Sequence, residues 1–155
     1  MITQLELRAK VSKLVWSQYT NPIKKLLAVL LLNLRWWPFD VFYKTFNDYT
    51  FNAAVDYFKD YVETHNLHYE FDFFDCEDFA LLFKAITAAK FNTNAIGIAI
   101  GLVYKDGKLL GGHAWNIVLI DDELYYFEPQ TYELFDTKSA TTSDGFKYEL
   151  QGVIW

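Results

Sequence analysis

The spacing of apolar residues changes after Asn94, and this change constrains the fold more than any other feature of the chain. Before it, apolar residues recur at helical spacing in four segments, at 5–17, 22–37, 52–64 and from 75 onward. After it, β-rich runs follow at 96–104, 108–120, 123–128 and 146–155. Helices followed by hairpin-linked strands predict an α+β fold, with N-terminal helices packed on a C-terminal antiparallel sheet.

Two short polar turns fix the expected pairing of these strands. Asp106-Gly107 is typical of a hairpin turn, and Asp121-Asp122 separates the next two strands. If Asp121-Asp122 is a two-residue turn, His113 lies opposite Gln130 and diagonal to Glu128 on the same face of the sheet. The register therefore predicts that an imidazole and a carboxylate converge.

Composition limits the classes of function. The chain has 155 residues, is 52% hydrophobic and shows no linker or repeat, which predicts one domain over residues 1–155. Its net charge of −6 argues against nucleic acid as a partner. A single cysteine excludes an internal disulfide and leaves a buried thiol, a reactive thiol or an intermolecular partner.

The N-terminal third contains an apolar run between Lys24 and Trp37. It is shorter than the roughly 18 residues that a membrane-spanning helix needs, so no transmembrane segment is expected. A helix buried in the core or under a neighbour is the favoured interpretation, and interfacial anchoring through Lys24, Lys25, Trp36 and Trp37 is the alternative. Residues 1–7 lack the pattern of a signal peptide, which favours a cytoplasmic location.

Cys76 lies at the predicted start of the fourth helix, where the helix dipole favours a thiolate. Its acidic neighbours Asp75, Glu77 and Asp78 oppose a thiolate, so a cationic partner such as protonated His113 would be needed. A thiol, an imidazole and a carboxylate are the parts of a nucleophile, a base and an orienter. The alternative is a structural thiol on the same buried helical face as the phenylalanines that follow it.

His113 is the candidate base, and two residues compete to orient it. Glu128 is the better candidate because a carboxylate also stabilises an imidazolium, and Gln130 is the reserve. The alternative for His113 is a half-buried strand histidine satisfied by a neighbour. His65 and His68 have no comparable setting and are interpreted as surface residues.

Residues 75–131 resemble a known family. The segment Cys76-Glu77-Asp78-Phe79-Ala80, then His113-Ala114-Trp115 and Glu128-Pro129, is similar to the transglutaminase-like superfamily of papain-fold cysteine enzymes. The resemblance implies a papain/transglutaminase-like core, with Cys76 as nucleophile and His113 as base. Glu128 replaces the usual Asp, which is similar to Cys-His-Glu variants such as the protease domain of a fungal chimeric lectin.

This resemblance implies thiol-dependent acyl transfer on an amide bond of a protein or peptide substrate, most simply peptide hydrolysis by a cysteine peptidase. The alternatives are a transglutaminase or deamidase acting on Gln side chains, and a catalytically inactive binding module that presents aromatic residues to a partner. The backbone N–H of Cys76 and the side chain of Gln18 are the candidate oxyanion donors.

The acidic residues beside Cys76 have two interpretations. In bacterial relatives within the same superfamily such residues bind calcium, which implies a possible calcium site at Asp75, Glu77 and Asp78. The alternative is that these acids complement the helix dipole. No cofactor is otherwise expected, and a zinc site is disfavoured because the chain has no second closely spaced ligand pair.

Overall fold

A computed structural model describes residues 1–34, 36–37 and 40–155. The order of elements matches the change in spacing near Asn94, with the four helices before it and the long strands after it. In chain order the elements are β1 (Ile2–Thr3), α1 (Gln4–Ser17), α2 (Pro22–Leu34), β2 (Trp36–Trp37), β3 (Phe42–Tyr43), α3 (Asp48–Thr64), α4 (Cys76–Phe91), β4 (Ile96–Lys105), β5 (Lys108–Ile120), β6 (Glu123–Glu128), β7 (Glu133–Asp136) and β8 (Phe146–Ile154). The α+β prediction is confirmed.

The main sheet has the strand order β2-β8-β4-β5-β6-β7. Its strands from β8 to β7 are antiparallel, whereas β2 joins β8 in parallel. Asp121 and Asp122 adopt φ values of 46° and 66°, as a tight two-residue hairpin turn requires. Ile120 therefore lies opposite Glu123, and the predicted register of β5 and β6 is confirmed.

Two helix boundaries differ from the sequence prediction. α2 ends at Leu34 instead of near Trp37, because the chain then turns into β2 and Trp36 pairs with Val153. Pro38, at the predicted helix end, lies outside the described residues. α3 begins at Asp48, four residues before Asn52, since Asn47 Oδ1 accepts from the backbone N–H of Thr50 at 2.8 Å.

Aromatic side chains join the helices to the sheet. Phe83 of α4 lies between Phe58 of α3 and Phe127 of β6, with ring centroids 5.0 and 4.5 Å apart. All three rings are buried. Edge-to-face and tilted packing of this kind fixes helix orientation as well as burying area. α4 is thereby held against β4 and β5, with its first turn near His113.

The predicted burial of the second helix in the core is found on one side of α2 only. Leu32 is its only fully buried residue, and a row of leucines along its outer side is exposed. Trp36, expected as an anchor in the alternative interpretation, is buried against the sheet. Among the described residues no helix has the length and apolar character needed to cross a membrane, as the sequence predicts.

Candidate functional site

The first residue of α4 is Cys76, and Asp75 precedes it as N-cap. Asp78 Oδ2 accepts from the backbone N–H of Asp75 at 3.3 Å, which closes the helix start as expected for an acidic residue at this position. The Cys76 thiol is half-buried and donates to Glu77 Oε2 at 3.3 Å. The sulfur thus lies where the helix start and the sheet meet.

A buried amide, absent from the sequence prediction, positions this helix. Asn116 Nδ2 donates to the carbonyl of Ala80 in α4 at 2.9 Å and to that of Gly97 in β4 at 3.3 Å. Asn116 is completely buried. An amide in an apolar interior is unfavourable unless it is hydrogen-bonded. The position of Asn116 between Trp115 and Ile117 could therefore have predicted a buried side chain that hydrogen-bonds a neighbouring element.

His113 and Glu128 form the predicted pair. Nε2 of His113 donates to Glu128 Oε2 at 2.6 Å, and the two side chains are 17% and 4% exposed. Trp115, two residues along β5, stacks parallel to the imidazole with ring centroids 6.1 Å apart. The carboxylate and the indole together restrict the rotation of the ring.

The Glu128 carboxylate is held from three directions. Oε2 also accepts from the Tyr148 hydroxyl at 2.9 Å, and Oε1 accepts from the backbone N–H of Gln130 at 3.1 Å. Tyr148 was not predicted from the sequence, because its strand β8 lies far along the chain. Gln130, the reserve orienter, therefore contacts Glu128 through its backbone, and its side-chain nitrogen has no hydrogen-bond partner among the described residues.

The electrostatic balance at His113 favours the imidazolium. Burial lowers its pKa, but hydrogen bonds and charge interactions with Cys76 and Glu128 outweigh this effect and raise the pKa to about 9. His113 is therefore positively charged at neutral pH. The structure brings Cys76, His113 and Glu128 together, with the imidazole between the other two.

An open cleft of about 350 Å³ adjoins this group. Gly111 and Gly112 form part of one wall, and Phe146 and Tyr148 contribute aromatic rings. Val103 and Leu110 add aliphatic surface, and the polar side chains of the lining are His113, Glu128, Gln130, Thr131, Glu133, Thr142 and Asp144. The cleft combines hydrogen-bonding groups with aromatic surface.

Gln18, the candidate oxyanion donor, is committed elsewhere. Its amide nitrogen donates to the carbonyl of Leu150 at 3.2 Å, and its oxygen accepts from the Leu150 N–H at 2.8 Å. Both polar groups of the side chain are therefore occupied by the backbone of β8. In this arrangement Gln18 joins the end of α1 to the sheet.

The acidic residues at the helix start divide into two kinds. Asp75 and Glu77 approach each other, and the hydrogen bond that the protonated Asp75 carboxyl donates to Glu77 is the main reason why the pKa of Asp75 is raised and that of Glu77 lowered. Candidate ligand atoms of Asp75, Cys76 and Glu77 lie within 4.8 Å of one another, and Asp75 Oδ1 is buried without a hydrogen-bond partner among the described residues. Asp78 instead closes the helix start.

Comparisons with known proteins give a family and a fold. The family model of the ricin-type beta-trefoil lectin C-terminal domain matches residues 19–145. A structure described as "PSL1a-E64 complex" is 18% identical with a TM-score of 0.63, covering 99% of this chain and 51% of that one. Polyporus squamosus lectin bound to the human-type influenza-binding epitope Neu5Acα2-6Galβ1-4GlcNAc is 17% identical, with a TM-score of 0.57. The match covers 97% of this chain and 48% of the lectin chain. No curated protein matches the chain.

The chain thus spans about half the length of these solved structures. The matches correct the assignment to the transglutaminase-like superfamily, which is wrong, and support no papain-like core. The assignments as hydrolase, cysteine peptidase, transglutaminase or deamidase, with a peptide substrate, are corrected with it. They depended on motifs in residues 75–131, and the local geometry of a helix-start thiol beside a strand imidazole does not specify a family.

Proposed function

Because the chain belongs to the family of the ricin-type beta-trefoil lectin C-terminal domain, we propose that it works as a module of a carbohydrate-binding protein. The cleft beside His113 is the candidate contact with a glycan. Its carboxylates and the Gln130 amide can accept from and donate to sugar hydroxyls, and the ring of Phe146 offers apolar surface to a sugar face. The family match carries this proposal, and the lining of the cleft supports it.

Glycan binding can be measured by titration calorimetry with Neu5Acα2-6Galβ1-4GlcNAc, the epitope named with the similar lectin, and with its component sugars. We expect Glu133→Gln and Asp144→Asn to weaken binding about tenfold each, since one good hydrogen bond to a charged group contributes about 1.5 kcal/mol or more. Asp106→Asn, in the turn between β4 and β5, is the matched control. Equal affinity in the cleft variants would exclude the cleft, and absence of binding by any of these sugars would contradict direct glycan contact by this module.

We further propose that Cys76 is a reactive thiol, with His113 as its cationic partner and Glu128 as the residue that positions the imidazole. The support is the raised pKa of His113, which places a positive charge beside the sulfur at neutral pH. The proposal concerns the reactivity of the thiol and assigns no turnover to it. It would allow Cys76 to form covalent adducts with electrophiles.

The rate of alkylation by iodoacetamide tests this proposal. In the folded protein at neutral pH, we expect His113→Gln to slow the modification of Cys76 at least tenfold, because the sulfur loses its cationic neighbour. His65→Gln, at an exposed site, is the matched control. Intact mass reads the modification, which should be absent in Cys76→Ser. A thiol that reacts only after unfolding would contradict the proposal.

For the acidic group we propose weak calcium binding by Asp75 and Glu77, with Asp78 as a neighbouring carboxylate. The buried, unpaired Oδ1 of Asp75 is the observation that supports it, since calcium takes carboxylate oxygens as ligands. After chelator treatment, added calcium should raise the melting temperature, and Asp75→Asn should remove the increase while Asp106→Asn keeps it. An unchanged melting temperature would contradict calcium binding. The close approach of Asp75 and Glu77 would then be explained by a proton that the two carboxylates share.

A further inference from the structure

The outer side of α2 carries an exposed apolar stripe. Its six residues recur at helical spacing and therefore fall on one side of the helix. Each is between 46% and 71% exposed: Ile23, Leu26, Leu27, Leu30, Leu31 and Leu34. We call these residues the outer stripe. The opposite side of the helix, with Leu32 buried and Ala28 and Val29 partly buried, packs against the core. Burial within this chain thus accounts for one side of α2 only.

Charge in the molecule is unevenly distributed around this stripe. Residues 1–34 contain five Lys and Arg residues and one acid, for a net charge of +4, while the remainder of the chain carries −10. Lys24 borders the outer stripe and is exposed, and the ammonium of Lys25 lies 5.3 Å from the ring centroid of Trp16. Trp16 is itself 45% exposed. The helical hairpin of α1 and α2 therefore combines apolar surface with positive charge.

We propose that the outer stripe docks into the interface of an anionic lipid bilayer. A helix of 13 residues is about 20 Å long and lies in the plane of a membrane, with its apolar side inserted about 5–10 Å, below the level of the headgroups. Lysines near an anionic surface strengthen attraction to it. The acidic remainder of the chain is repelled by the same surface, which orients the molecule with α2 toward the lipid.

A second copy of the chain fits the stripe less well. A helix about 20 Å long and 10 Å wide offers an area of roughly 200 Å², well below the roughly 800 Å² per partner of a stable interface. Pairing of two copies would also bring two positively charged hairpins together. Charge complementarity favours the anionic bilayer, and this inference is independent of the cleft and of Cys76.

Sedimentation with vesicles tests the proposal. Vesicles of phosphatidylcholine with about 30% phosphatidylserine should bind the protein, whereas pure phosphatidylcholine vesicles should bind it at least tenfold more weakly, and added salt should reduce binding. Leu27→Glu and Leu30→Glu should each reduce binding at least tenfold. The matched control is Leu109→Glu, which lies in the β4–β5 hairpin and is 56% exposed.

Two outcomes would overturn the proposal. One is binding to anionic vesicles that Leu27→Glu and Leu30→Glu leave unchanged, which would assign the contact to another surface. The other is absence of binding to anionic vesicles. If light scattering then shows a dimer that Leu30→Glu converts to a monomer, the stripe is an interface between copies. Circular dichroism of each variant checks that these exposed substitutions leave the fold intact.

Discussion

At the scale of single residues, His113 is the point where burial and charge compete. Loss of hydration disfavours its charged form, yet the carboxylate of Glu128 and the thiol of Cys76 stabilise that form more strongly. Glu128 can do this while buried because Tyr148 and the backbone of Gln130 also donate to it. Together with His113, these donors compensate the buried carboxylate for the loss of water.

The raised pKa of His113 predicts a specific dependence of stability on pH. Its pKa is about 9 in the folded protein against an ordinary value of 6.5, so folding favours the protonated form. The resulting stabilisation is fully present below pH 6.5, decreases above it and is lost as the pH rises through 9. We expect about 2 to 3 kcal/mol of the free energy of unfolding to disappear between about pH 6 and about pH 9.5.

Urea unfolding at several pH values checks this expectation. His113→Gln should lack the decrease, and His65→Gln should retain it. Equal pH dependence in the His113 variant and the unaltered protein would show that other groups cause the decrease.

The sequence was informative about Cys76, His113 and Glu128 because local rules connect them. Capping placed Cys76 at a helix start, and the two-residue turn set His113 diagonal to Glu128. The role of Tyr148 could not be predicted, because Tyr148 lies on β8 and the position of β8 in the sheet depends on long-range strand pairing. Local patterns do not encode which distant strand comes to lie beside β4.

At the scale of elements, close approach between strands β4 and β8 shapes the sheet beneath the site. A Cβ atom on Gly101 would lie 1.9 Å from the carbonyl oxygen of Glu149 and 2.9 Å from Cη2 of Trp115. The first of these is a backbone atom, so a side chain at Gly101 would require β8 to move. The register between β4 and β8 also shifts between Ile100 and Gly101. Gly101 thus permits both the irregularity and the packing of Trp115.

We therefore expect Gly101→Ala to destabilise the protein by about 3 kcal/mol, at the upper end of ordinary overpacking because the obstacle is backbone. Gly112→Ala is a matched control in the neighbouring strand, where a Cβ atom would meet nothing closer than the Gly101 carbonyl at 3.9 Å. Guanidinium unfolding of both variants measures the difference. Equal stability of the two variants would show that β8 adjusts without cost.

Short elements were the ones that the sequence did not predict. β2 has two residues and exists only because Trp36 and Trp37 meet β8 more than a hundred residues later in the chain. β7 has four residues and pairs at the edge of the sheet with β6. The long helices and hairpins were predictable because each repeats its periodicity over several turns or pairs. Two residues cannot show a period.

At the scale of the whole molecule, the fold class was predictable and the family was not. The change from helical to strand spacing is a property of the entire chain, so it determined the α+β class. The family assignment depended on short motifs around three residues, and the match over residues 19–145 replaced it. The single domain over residues 1–155 and the cytoplasmic location stay predictions.

Trp155 connects parts of the molecule that are distant in sequence. It is 1% exposed, its indole N–H donates to the carbonyl of Asn94 at 2.9 Å, and its ring meets Tyr43 edge-on at 5.7 Å. Gly97 leaves room for it, since a Cβ atom there would lie 2.7 Å from the indole. The residue therefore fastens the end of β8 to the start of β4 and to the segment before α3.

We expect Trp155→Ala to lower the free energy of unfolding by about 3 to 5 kcal/mol, the usual cost of removing a buried indole and leaving a cavity. Trp16→Ala, at the half-exposed tryptophan of α1, is the matched control and should cost about 1 kcal/mol or less. Chemical denaturation followed by circular dichroism measures both, because it does not depend on tryptophan fluorescence. If both substitutions lower the free energy of unfolding equally, the contacts of Trp155 with Asn94 and Tyr43 do not contribute to the stability of the fold beyond what an exposed tryptophan contributes.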